Sequence, residues 1–282
     1  MKMPSSINKV TISKSQDFWI FPPLGFLEIE EGNDGGGNNY GLYWELGKEH
    51  EAPIICWKSH EEFSLVPKFL NLDHFNLWFE ETQGQEAEGI DIKDTTFFLS
   101  LYTRSKIFTK NNKTTEAIQM LEKSVELFGE FSQSWALLAE NYLKINELEK
   151  ATEASINSII SNYAFGVPSI KAIQQFNQIE ISNGYKNHPL LKRRTGLISG
   201  GDYSNPFLLN FELYRDIIQE FKEKDEIKSA LILEYNYGFL MNFENKEIQK
   251  KNKFDFDLWS KNFIKEVYDA FPERKFDNTK QF

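Results

Sequence analysis

Cysteine is nearly missing from this chain. Cys56 is the single one, which excludes an intrachain disulfide and a cysteine-built zinc site. Histidine is scarce as well. His50, His60, His74 and His188 include no pair at the spacing that metal ligands on one helix require. Long apolar runs are lacking, and none approaches the roughly 18 residues of a membrane span. The opening Met1-Lys-Met-Pro-Ser-Ser-Ile-Asn8 has no apolar stretch of the kind a secretory leader needs. Positive charge is in deficit: 32 Lys and Arg against 42 Asp and Glu leave a formal net charge of -10. Such a surface suits a basic protein or peptide better than a phosphate backbone. The expectation is a cytoplasmic protein with no cofactor, no bound metal, and neither nucleic acid nor membrane as partner.

Arrangements that would carry catalysis are also thin. Cys56 and His60 are four apart, a spacing that joins side chains only on a helix, and Cys56 lies in strand-like text. The glycine-rich stretch from Gly32 to Gly41 lacks the Lys-Ser/Thr of a phosphate-binding loop and reads as a hairpin connection. Glu28, Glu30 and Glu31 read as a solvated strand edge. Lys192-Arg193-Arg194 is the one basic cluster, read as charges on a surface loop with anion binding as the alternative. A non-enzymatic protein is therefore expected.

What the chain has in quantity is aromatic mass: Phe, Trp and Tyr make up 15%, and Phe alone occurs 25 times. Residues 1–82 interleave Pro and Gly with short strand-like runs at Asp17–Phe21, Gly25–Glu30, Tyr40–Leu46 and Pro53–Trp57. In the third, Leu42 and Trp44 alternate with Tyr43, which predicts opposite faces of one strand. A helix over Val66–Glu81 is expected to cover this sheet with Phe69, Leu70, Phe75, Leu77 and Trp78. Residues 82–93 read as a linker. From Asp94, a candidate N-cap, to residue 282 the text is helical, apart from a long loop expected over Asn183–Asn205. The fold class is α+β: a small antiparallel sheet domain (1–82), then a helical domain (94–282).

Trp135, Leu138, Ala139 and Tyr142 fall on one helical face at i, i+3, i+4 and i+7, and Ala151 follows nine residues after the tyrosine. Stepping back 34 residues gives Leu101, Ser105, Phe108 and Ala117. Residues 98–165 resemble two tetratricopeptide (TPR) repeats, and no third copy follows at Ser169. The resemblance implies a binding groove lined by the first helix of each pair. Those positions are Leu99, Tyr102, Lys106, Thr109 and Lys110, then Gln133, Ala136, Glu140, Leu143 and Lys144. They do not reproduce the Lys/Asn/Arg clamp by which some TPR domains hold peptide carboxylates.

Residues 17–80 carry a second resemblance. The Gly32-to-Tyr40 turn, the aromatic strand through Trp44, the run Pro53–Cys56 and the Ser/Phe/Glu text at Ser59–Ser64 are similar to part of the SUKH superfamily. The family's opening helix is missing or reduced to Met1–Ser15. The family includes bacterial immunity proteins, so the resemblance implies occlusion of a partner, a basic toxin domain. A TPR scaffold holding a peptide is the alternative expectation.

Overall fold

The computed structural model describes residues 25–33, 37–59, 64–82, 93–181, 183–197, 209–241 and 245–274. His60, the strand expected at Asp17–Phe21 and all but the ends of the expected linker lie outside them. The chain is α+β, a small sheet followed by a helical region.

Strands β1 (Phe26–Asn33), β2 (Asn39–Tyr43), β3 (Ile54–Lys58) and β4 (Leu65–Phe69) form an antiparallel meander in chain order. Alternation sends Leu27, Ile29, Leu42 and Ile55 to one face, where Phe75 of α1 (Leu72–Thr82) covers them. Phe26, Tyr43, Cys56 and Leu65 take the other face and join the core of the helical region. A register irregularity at Ile55/Cys56 lets Leu65 and Phe69 serve opposite faces although they are four apart. Gly41 has no room for a side chain, because a Cβ there would lie 2.4 Å from the Phe26 ring.

The sequence expectation of one helix over Val66–Glu81 is corrected: its first part is β4. Pro67 cannot donate to a helix ladder, but it is tolerated on this edge strand, where it opposes Cys56. The true helix begins at Leu72, and Leu77, expected to cover the sheet, points outward at 56% exposure.

The helical region opens with two hairpins, α2 (Phe98–Lys110) with α3 (Thr114–Leu127), and α4 (Ser132–Lys144) with α5 (Leu148–Ile160). Each pair is joined by three residues whose middle member is left-handed, Asn112 (φ 57°) and Asn146 (φ 58°), 34 apart. The next N–H in each turn reaches back to an aromatic carbonyl, Lys113 to Phe108 (2.9 Å) and Glu147 to Tyr142 (3.0 Å). This Schellman closure satisfies carbonyls that the helix end leaves open. Ala117 and Ala151, each five residues past the left-handed residue, are fully buried. The expected cap shifts: Asp94 accepts from Thr96 N (2.7 Å) one turn before α2. Ser132, in the first turn of α4, donates its hydroxyl to Ser158 O (2.7 Å).

After a 3-10 turn (Tyr163–Phe165) come α6 (Ile170–Gln178) and α7 (Pro189–Leu197), the latter within the stretch expected to be loop. Leu190, Leu191 and Leu197 bury that short helix, a signal masked by its charged middle. Then α8 (Phe211–Glu223) and α9 (Ile227–Leu240) build a third hairpin of the same construction. Asp225 takes the left-handed position (φ 61°), Glu226 N reaches Phe221 O (3.0 Å), and Ala230 is fully buried. Helices α10 (Lys246–Lys251) and α11 (Phe256–Ala270) and a turn at Pro272–Arg274 complete the described part of the chain. Gly238 of α9 admits the Trp259 indole of α11, which would lie 1.8 Å from a Cβ there.

Sheet and helices share one core, and a seam of buried charge runs beside it. Glu130 accepts hydrogen bonds from Leu46 N (2.9 Å), Asn162 Nδ2 (3.0 Å) and the Tyr43 hydroxyl. Burial, with Glu45 nearby, pushes the Glu130 carboxyl above its usual range. Glu45 accepts from Gly129 N (2.8 Å) and Lys228 Nζ (3.0 Å). Arg274, 2% exposed, binds Glu49 (2.7 Å) and Trp44 O (2.8 Å), fastening the Pro272–Arg274 turn to the loop after β2.

Candidate binding groove on the helical hairpins

The groove positions expected on α2 and α4 have different surroundings. Tyr102 is half-buried, packs edge-on against Phe131 at 5.3 Å, and carries Lys106 over its ring at 5.5 Å. Lys110 is exposed at the end of α2. On α4, Gln133 lies against Gly166, where a Cβ would come within 2.7 Å of its amide nitrogen. Glu140 is met by Lys171 of α6 (2.6 Å) and by Lys144 (3.3 Å). Burial opposes its ionised form, but these two ammonium groups outweigh that and hold its carboxyl below the usual range. Leu143 is half-buried beside the α3–α5 cluster. Helix α6 and the segment before it thus lie against the α4 part of the expected surface.

An open groove lies instead between α3, α4 and α5. It has a volume of about 340 Å³ and an apolar floor of Val125, Trp135, Leu138 and Ala154. The amphipathic spacing of α4 puts Trp135 and Leu138 there, and Trp135 Nε1 is satisfied by Gly129 O at 2.8 Å. Around the floor stand Glu122 and Glu126, one turn apart on α3, and Glu153 on α5. Among the described residues, no Lys or Arg lies within ion-pair distance of these three carboxylates. Glu122 accepts the Tyr142 hydroxyl at 2.6 Å. Burial, then this bond and the neighbouring Glu153 and Glu147, raise the pKa of Tyr142. Lys150 enters the groove and lies over the Tyr142 ring at 5.5 Å.

This rim was not among the sequence-derived site residues. Its signal was present as acidic residues four apart, Glu122 with Glu126 and Glu149 with Glu153, but that pattern also describes any solvated helix face.

Other candidates are absorbed into structure. Cys56 is fully buried on β3, and burial pushes its thiol well above the usual range. Glu28, expected on a solvated edge, is buried and paired with Lys58, and accepts Asn39 Nδ2 at 3.1 Å. The basic cluster sits on α7 rather than a loop. Lys192 and Arg193 bind Glu220, and Arg194 binds the carbonyls of Ile179 (2.7 Å) and Phe176 (3.2 Å). The hydrogen bond from Lys192, with Arg193 and Lys224 adding to it, holds Glu220 down to about 2. No group of three or more metal-ligating side chains occurs among the described residues, and no helix there is long and apolar enough to cross a membrane.

Fold and groove together define an α+β protein whose helical hairpins present an acid-rimmed apolar depression. Residues 11–88 match the family model described as the YfbP N-terminal domain, and residues 200–275 match the one described as the YfbP C-terminal domain. The first span takes in the sheet and α1, the second α8 to Arg274. Over 248 residues the chain is 29% identical to "Uncharacterized protein YfbP" of Escherichia coli (strain K12), covering 86% of this chain and 87% of that protein.

Proposed function

We propose that this chain is a non-enzymatic protein-binding protein built on TPR-like hairpins, whose groove between α3, α4 and α5 receives a basic segment carrying an apolar anchor. The observation that carries this reading is the pairing of an apolar floor with three carboxylates that, among the described residues, have no Lys or Arg within ion-pair distance. A carboxylate rim over an apolar floor favours a Lys or Arg beside an aliphatic or aromatic side chain. The net charge of -10 adds long-range attraction for such a partner.

A peptide-holding scaffold and an immunity-type protein that masks a basic toxin domain would both use this surface. The second form rests on the SUKH resemblance of residues 17–80 and on the overall acidity.

The test is selection from a random peptide display library on the folded chain, scored against the Glu122→Lys/Glu126→Lys variant. The expected result is a shared motif of Lys or Arg next to an apolar residue, binding the variant at least tenfold more weakly. Acidic motifs, or equal binding to both proteins, would overturn the reading. In a masking role, one stoichiometric folded partner would bind with high affinity and compete with the selected peptides.

A further inference from the structure

A second depression of about 420 Å³ lies beside the first, between α5, the Tyr185–Pro189 segment and the α8–α9 turn. The two share Glu153. On α5 the first is lined by Lys150, Glu153 and Ala154, the second by Glu153, Ile156, Asn157 and Ile160. These positions recur at helical spacing, so they form one stripe along one side of α5.

Resting on the groove reading above, we propose that the occupant is a single extended segment that runs along this stripe through both depressions. From Lys150 to Ile160 the stripe is about 15 Å long at the helical rise of about 1.5 Å per residue. An extended chain covers that distance with about five residues at ~3.3 Å each.

Charge gives the segment its chemistry. Glu122 and Glu126 stand at one end, Glu226 at the other, and Glu153 between them. At the far end, Lys224 is engaged with Asn187 O (3.0 Å) and Glu220 (3.2 Å), and Glu226 is exposed. The segment therefore carries a basic residue near each end and apolar or small residues between. Ile156, Ile160 and Pro189 supply apolar lining for the second half.

Fluorescein-labelled synthetic peptides test this by anisotropy: Lys-Leu-Lys, Lys-Leu-Ser-Leu-Lys and a seven-residue extension. Affinity is expected to rise at least tenfold from three residues to five, then to level off. Ser229→Trp, which fills the second depression, should reduce the five-residue peptide to the affinity of the three-residue one. Glu226→Lys, at an exposed position, should weaken the longer peptide alone. Glu122→Lys should weaken every length. If Glu122→Lys weakens binding while Ser229→Trp and Glu226→Lys leave the longer peptides unaffected, the continuous track is wrong and the groove reading stands. If no variant has an effect, both are wrong.

Discussion

At the seam between sheet and helices, Glu45, Glu49 and Glu130 are buried, and each is met by donors from distant parts of the chain. On the α3–α5 face, Glu122, Glu126 and Glu153 stand exposed around an apolar floor, and Glu122 accepts the Tyr142 hydroxyl. The same side chain type does different work in the two places. A buried carboxylate must be satisfied by its own chain or the fold loses stability, so the seam is architecture. An exposed carboxylate is already satisfied by water and adds little to stability. Its charge remains available to a partner.

Exchanging charges in the two regions should break this comparison most sharply at the seam. Arg274→Met leaves Glu49 buried without its cation, with an expected loss of about 3–5 kcal/mol in urea denaturation. Adding Glu49→Gln should recover most of it. A loss below about 1 kcal/mol would show that the seam is not a structural clamp.

Next in size is Ala230→Leu. It overfills the third hairpin at the position held by Ala151 in the second, and should cost about 1–3 kcal/mol. Ala151→Leu should cost a similar amount if the hairpins are equivalent.

His188 should have a smaller effect, visible through pH. Burial, with Lys224 near it, lowers its pKa to about 4. As pH falls below about 6.5, the unfolded chain takes up this proton before the folded chain does, so stability declines down to about pH 4 and no further. With part of the ring open to solvent, about 1 kcal/mol is expected. His188→Leu should flatten that portion of the pH–stability curve.

Smallest in stability is Glu126→Lys, expected to change unfolding by less than about 0.5 kcal/mol. It should nevertheless lower the affinity of a basic peptide severalfold. A stability change as large as that of Arg274→Met would erase the distinction between the regions.

Much of the fold was legible because its periodicities are local. Leu42, Tyr43 and Trp44 announced the two faces of the sheet, and Trp135 to Ala151 announced one hairpin and its copy 34 residues earlier. The helices of the third hairpin lie in text that reads as helical, but its likeness to the first two was hidden for two physical reasons. Helices α6 and α7 intervene, so Asp225 follows Asn146 by 79 residues rather than by whole repeats. Ile218 also stands where Ala139 and Ser105 kept the position small. Strand β4 was misread because an apolar run with Pro67 fits a helix start as well as an edge strand.

The seam could not be read at all. Glu49 and Arg274 are 225 residues apart, and nothing in their neighbours marks either as buried. The groove was partly legible. Trp135 and Tyr142 were recognised as a helical face, but the acidic rim depends on how α3 and α5 flank α4.

Hydrogen–deuterium exchange of the full chain, with and without a library-selected basic peptide, tests the central claim most directly. Protection is expected in α3, α4 and α5, extending to Tyr185–His188 and the α8–α9 turn, with the sheet unchanged. Protection confined to α1 and the sheet, or to the Tyr102–Lys110 part of α2, would contradict it.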